Sequence, residues 1–163
     1  MKSFNLSLLV LLVSLISCNY IAKKENNAIN SLDNVRIDAS KVINKDSLVL
    51  NGNTGIWSYK ENPYSGFAVR LFSNDSVKEK TGFLNGKKHG VYNVWFENGT
   101  LKLESYYYQN TLEGSYKAWW NNGVLASESN YVNGKQQGIA RKWFYNGKIS
   151  KQSNLLNGRE DGL

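Results

Sequence analysis

A 24-residue step constrains this chain more than any other feature. Glycines stand at 66, 90, 114, 138 and 162. Gly99, Gly123 and Gly147 form a second comb with the same step, each preceded by an asparagine (Asn98, Asn122, Asn146). A third comb is Gly86, Gly134 and Gly158, with Asn110 at the missing tooth, and Trp95, Trp119 and Trp143 keep the frame. Combs in phase mark internal repetition, in which each unit stacks on the next. Each unit reads as two strands and two turns. The first strand is expected to start after the frame glycine, over 91–97, 115–121 and 139–145. Asn-Gly turns follow at 98–99, 122–123 and 146–147, and return strands run over 100–108, 124–132 and 148–156. Asn-Gly between apolar runs predicts a type I′ hairpin, because both central residues take positive φ. The expected fold is all-β: a single extended, twisted antiparallel β-meander of stacked hairpins.

A two-residue loop at 98–99 sets the register. It puts Phe96 opposite Leu101, Val94 opposite Leu103 and Tyr92 opposite Ser105. One face then collects these residues with Tyr107, Tyr116, Trp120, Leu125, Tyr131, Phe144 and Ile149. The other face carries Trp95, Trp119 and Trp143 beside Lys102, Glu104 and Glu128. A one-residue bulge would exchange the faces, since side chains alternate. The tryptophan stripe is the candidate binding platform, because aromatic faces stack on sugar rings and bases. The competing reading is that a thin sheet needs large side chains on both faces.

Ahead of the repeats the chain changes character. Lys2 precedes an apolar run, Leu6 to Ile16, too short to span a bilayer and suited to a cleaved export signal. Leu15-Ile16-Ser17-Cys18 resembles the lipobox of bacterial lipoproteins. The resemblance implies cleavage before Cys18 and acylation there, including palmitate. Two or three acyl chains suffice for stable anchoring. In Gram-negative lipoproteins an Asp after the acylated Cys directs inner-membrane retention, so Asn19 implies an outer-membrane address in such a host. The expected layout is a signal peptide (1–17), lipidated Cys18 with a flexible, Asn-rich tether (18–46) and a repeat domain (47–163). Leu48 to Leu50 and Ile56 to Tyr59 read as a degenerate first hairpin, and Pro63 as a turn residue that costs no ladder bond.

The net charge of +7 favours anionic partners in general, but no Lys/Arg cluster forms a nucleic-acid arm, so nucleic acid is not expected. The single Cys excludes an intramolecular disulfide. His89, the only histidine, is placed in a turn, which excludes a His-based metal cluster within one chain and disfavours a Ser-His-Asp triad. Glu104 and Glu128 occupy equivalent places one unit apart, about two strand spacings or roughly 9.5 Å, at the limit of an inverting glycosidase pair. On a sheet with no evident second layer they read as surface carboxylates. No catalytic residue, metal ligand or cofactor is assigned.

The pattern Gly86-Lys87-Lys88-His89-Gly90, then Trp95-Phe96-Glu97-Asn98-Gly99, recurs at Gly134 to Gly138 and Trp143 to Gly147. It resembles the MORN repeat in its bacterial variant form. Asn110-Thr111-Leu112 and Asn74-Asp75 depart from the pattern at single turns. The resemblance implies a twisted sheet of stacked hairpins with no shared catalytic residues. Bacterial variant-MORN proteins are often labelled antitoxin-like, and eukaryotic relatives serve as scaffolds or membrane-proximal modules. The expected function is therefore a membrane-anchored module for protein–protein interaction, with a cell-wall or glycan-binding module on the tryptophan stripe as the alternative.

Overall fold

A computed structural model describes residues 37–161. The expected signal peptide, Cys18 and most of the tether lie outside the described residues. In chain order the strands are β1 (Val42–Asn44), β2 (Val49–Asn51), β3 (Ile56–Tyr59), β4 (Asn62–Pro63), β5 (Gly66–Leu71), β6 (Val77–Leu84) and β7 (Lys87–Trp95). They continue with β8 (Leu101–Tyr108), β9 (Thr111–Trp119), β10 (Leu125–Val132), β11 (Lys135–Trp143), β12 (Ile149–Leu156) and β13 (Arg159–Glu160). Strands β5 to β13 form the expected antiparallel meander, each hydrogen-bonded to its sequence neighbour. One 3-10 turn, Lys45–Ser47, lies between β1 and β2.

Two kinds of turn alternate, and the type I′ turns are not those expected. At 98–99 only Gly99 has positive φ (81°). The Gly99 N–H donates to the Phe96 carbonyl at 2.9 Å, and the Phe96 N–H donates to the Thr100 carbonyl at 2.9 Å. This is a type I turn closed by a glycine bulge, and it recurs at Gly123 and Gly147. The asparagine before each glycine does other work: Asn98 Oδ1 accepts from the Thr100 N–H, and its Nδ2 donates to the Asn121 carbonyl of the next turn. Asn122 repeats both bonds with Val124 and Tyr145. The true type I′ turns belong to the third comb, as at Asn85 and Gly86 (φ 49° and 76°). At the missing tooth Asn110 takes φ 72°, a conformation asparagine tolerates better than most residues. Its side chain also accepts from the Lys88 N–H and donates to the Gly55 carbonyl.

The frame glycines were expected to precede strands, but Gly90, Gly114 and Gly138 lie inside β7, β9 and β11. Each has φ between 70° and 76° and marks a register shift, as where Thr81 pairs with Tyr92 but Phe83 with Lys88. A bulge of this kind bends the strand and increases the local twist. His89 is correspondingly a buried strand residue and not an exposed turn residue.

A second bulge lies beside each glycine-closed loop. Val94 pairs with Leu103 and Tyr92 with Ser105, as the register predicted, but Leu101 pairs with Trp95 and not with Phe96. Leu125 and Ile149 likewise pair with Trp119 and Trp143. These three aliphatic residues therefore move to the tryptophan face. The tyrosine face keeps the rows Thr81, Tyr92, Ser105, Tyr116 and Ser129, paired strand to strand.

The domain starts earlier than residue 47. Strand β1 pairs in parallel with β5, so Val42, Ile43 and Asn44 belong to the sheet and not to the tether. A second layer exists at this end, contrary to expectation. Strands β2, β3 and β4 form a small sheet of their own. It is tied to the main sheet where Trp57 N–H donates to the Gly86 carbonyl and Gly86 N–H to the Tyr64 carbonyl, both at 2.7 Å. Leu48 and Tyr64 bury Ala68 and Phe83, with Ile43, Trp57 and Tyr59 packed around them. Among the described residues, this apolar cluster is where two layers exclude water together. Pro63 stands on the edge strand β4, where the missing N–H costs no central ladder bond.

Candidate interaction surface

The structure aligns the three predicted tryptophans on one face. Trp95, Trp119 and Trp143 are each half-buried opposite an aliphatic partner across the hairpin. Beside them runs a row of directly opposed side chains: Lys80, Asn93, Glu104, Lys117, Glu128, Arg141 and Gln152. Charges of opposite sign alternate along it, which stabilises cross-strand pairs. Arg141 Nη1 donates to Glu128 Oε1 at 2.7 Å and its Nε to Gln152 Oε1 at 2.8 Å. Lys117 sits between Glu104 and Glu128, so these carboxylates are separated by a cation, and no cleft with two facing acids arises. An apolar cavity of about 500 Å³ borders Trp95, lined by Val42, Val69 and Val77.

The tyrosine face differs at its two ends. At the covered end, Lys45 donates to Glu79, and both side chains are 9% exposed. Arg70 bonds Glu79 at 3.3 Å and Asp46 at 2.7 Å. Burial alone would raise the Glu79 carboxyl, but the Lys45 hydrogen bond and charge, with Thr81 and Arg70, hold it below the usual glutamate value. Burial, with the Glu79 charge, pushes the Tyr92 phenol up to about 12. Sequence reasoning missed this network. Its signal was present: Arg70 and Glu79 stand where Val94 and Leu103 stand one repeat later.

Farther along, tyrosine rings pack in pairs: Tyr92 edge to face with Tyr107 (6.0 Å between ring centres) and Tyr116 tilted against Tyr131 (5.9 Å). Beyond Tyr131 the face opens into a cavity of about 360 Å³ around Ala140. Exposed large apolar side chains at this end include Trp120, Ile139, Phe144, Tyr145 and Ile149, and Val42, Val49, Leu50, Leu71 and Val77 are exposed at the other.

His89 packs on Tyr108 at 5.4 Å, and its Nδ1 has no hydrogen-bond partner. Burial lowers its pKa, so the neutral imidazole is favoured. No group of three or more potential metal ligands occurs among the described residues. Among them, no helix is long and apolar enough to cross a membrane.

Hairpins repeating at 24 residues, with paired turn glycines and a tryptophan per unit, can be set against known families. Residues 88–110 and 112–133 match the MORN repeat variant. The two matches span the hairpins β7–β8 and β9–β10. No curated protein and no solved structure matches the chain. MORN repeats are generally non-catalytic and commonly serve as protein- or membrane-interaction modules.

Proposed function

We propose that the protein is a lipid-anchored, non-catalytic module that binds another protein at the cell envelope. One observation carries this reading: seven of the fourteen exposed large apolar side chains among the described residues lie between Trp120 and Leu156, with Phe144 56%, Tyr145 54% and Ile149 58% exposed. Trp120 and Tyr145 pack ring on ring at 6.2 Å, and an exposed apolar cluster of this kind marks an interaction surface. The MORN repeat supports the same role. Acylation at Cys18 anchors the module, at the outer membrane in a Gram-negative host, and an antitoxin, immunity or envelope-scaffold role would be a special case.

Gentle solubilisation of envelopes should recover a stoichiometric protein partner with the wild type and lose it with Phe144→Lys/Ile149→Lys. Cys18→Ser should move the protein out of the membrane fraction without abolishing that partnership. Recovery of no partner, or equal recovery with the double variant, would overturn the reading. The alternative, a glycan platform on Trp95, Trp119 and Trp143, has less support, because each ring is half-buried opposite Leu101, Leu125 or Ile149.

A further inference from the structure

The repeat frame makes the two ends of the tyrosine face comparable side chain by side chain. Ala68, Arg70, Glu79, Thr81 and Phe83 lie three 24-residue steps before Ala140, Lys142, Lys151, Ser153 and Leu155. Their pairing is the same: Ala68 opposes Thr81 and Arg70 opposes Glu79, while Ala140 opposes Ser153 and Lys142 opposes Lys151. In the two intervening units the alanine position holds Tyr92 and Tyr116. Each end of the face is therefore a hollow where the frame would otherwise put a tyrosine ring.

At the first end the chain fills the hollow itself. Ala68 is fully buried beneath Leu48 and Tyr64, Asp46 pairs with Arg70, and Lys45 pairs with Glu79 and lies 3.3 Å from the Thr81 hydroxyl. The other end has a related polar knot of reversed sign: Glu160 accepts from Lys151 and from Ser153. The rest of the cover is missing there, and the cavity of about 360 Å³ remains. Lys142 has no carboxylate partner among the described residues, although Arg70, its equivalent, has two. Glu160 already compensates Lys151, so the charge left without a partner at the hollow is the Lys142 cation, which an added anion would pair.

We propose that this hollow docks a short acidic segment of a protein partner. The carboxylate sits on Lys142, and an apolar side chain covers Ala140 between Tyr116 and Tyr131. The proposal rests on the reading of the protein as a protein-binding module. Its pattern follows from the chain's own cover, in which Asp46 meets the cation and Leu48, two residues on, fills the hollow. The covering layer of a second copy does not fit, because it would bring Lys45 onto Lys151.

A photo-crosslinking amino acid placed at Ser129, on the floor of the hollow, tests this in the full-length protein in its membrane. A second protein carries the crosslinker at Phe144, on the outer corner. The Ser129 probe should capture a peptide segment containing Asp or Glu next to an apolar residue. Capture should fall about tenfold with Lys142→Glu, the loss expected from one charge-assisted contact, and survive Lys142→Arg. Ala140→Trp, which restores a ring, should block it. Lys142 is exposed, so its variants keep the test valid if the tryptophan variant misfolds. Capture from Phe144 alone would overturn this site and leave the general reading standing, while capture from neither position would overturn both. A crosslink to glycan or lipid, or one indifferent to Lys142→Glu, would also overturn the acidic-peptide site.

Discussion

Asp75 shows what the frame demands of a single residue. It occupies the glycine position of the first glycine-closed loop, with φ 62° and its N–H on the Phe72 carbonyl at 3.1 Å. An L-residue in this region carries a steric penalty that glycine does not. Its carboxylate makes no hydrogen bond or ion pair among the described residues, so nothing offsets that penalty. Asp75→Gly is expected to stabilise the protein by about 0.5–1 kcal/mol, read as a rise in the denaturant midpoint at unchanged m-value. His89 is the second such residue. Ser65, Glu113 and Gln137, its frame equivalents, each accept the backbone N–H of the following type I′ turn. His89 instead lies against Tyr108 with an unpartnered Nδ1. Burial depresses its pKa, so the unfolded chain binds a proton first. The stabilising contribution is full above the unfolded value near 6.5 and is lost as pH falls from there through the folded pKa. As the only imidazole, it should give a single NMR titration with a midpoint below 6.5, and a midpoint at or above that value would contradict the buried placement.

Among the elements, the covering layer depends most on charge. The Lys45–Glu79 pair ties the 3-10 turn to β6 with both side chains nearly out of water. Removing one partner of a buried pair costs about 3–5 kcal/mol, whereas replacing both with apolar residues is often neutral. Lys45→Met should therefore destabilise strongly, and Lys45→Met/Glu79→Leu should recover most of the loss in a double-mutant cycle. Glu79 has a folded pKa below its unfolded one. Its contribution is thus present above about 4.5 and lost as pH falls through the folded value, a window separate from that of His89. This element was the least legible in the sequence. Lys45 sits in an Asn-rich stretch with no alternation to announce burial, and Leu48 to Tyr59 read only as an imperfect hairpin. The meander, by contrast, was legible from three glycine combs. What the combs could not separate was the two turn geometries. Asn98 and Asn85 precede glycine alike, yet the first takes a negative φ and bonds the neighbouring turn, while the second takes a positive φ. The hollow at Ala140 was legible in principle, as an alanine in a column of tyrosines, but its meaning required the covered counterpart at Ala68.

On the scale of the whole molecule the sheet is a linear array in which each hairpin contacts its neighbours, and stability follows local burial. The buried core residues lie between Lys45 and Ser105, whereas Val132, Ile139, Phe144, Tyr145, Ile149 and Leu156 are each at least 44% exposed. Hydrogen exchange should accordingly be slowest for the amides of β6 and β7 and fastest for those of β11 and β12, in a graded series. Uniform protection along the meander would contradict the array description. The covering layer gives this gradient a direction in time. A ribosome releases the capped end first, and that end can close on itself before any later hairpin exists. Every subsequent hairpin then meets a ready template edge, so the order of synthesis is also an order in which the growing sheet never lacks a partner for its newest strand.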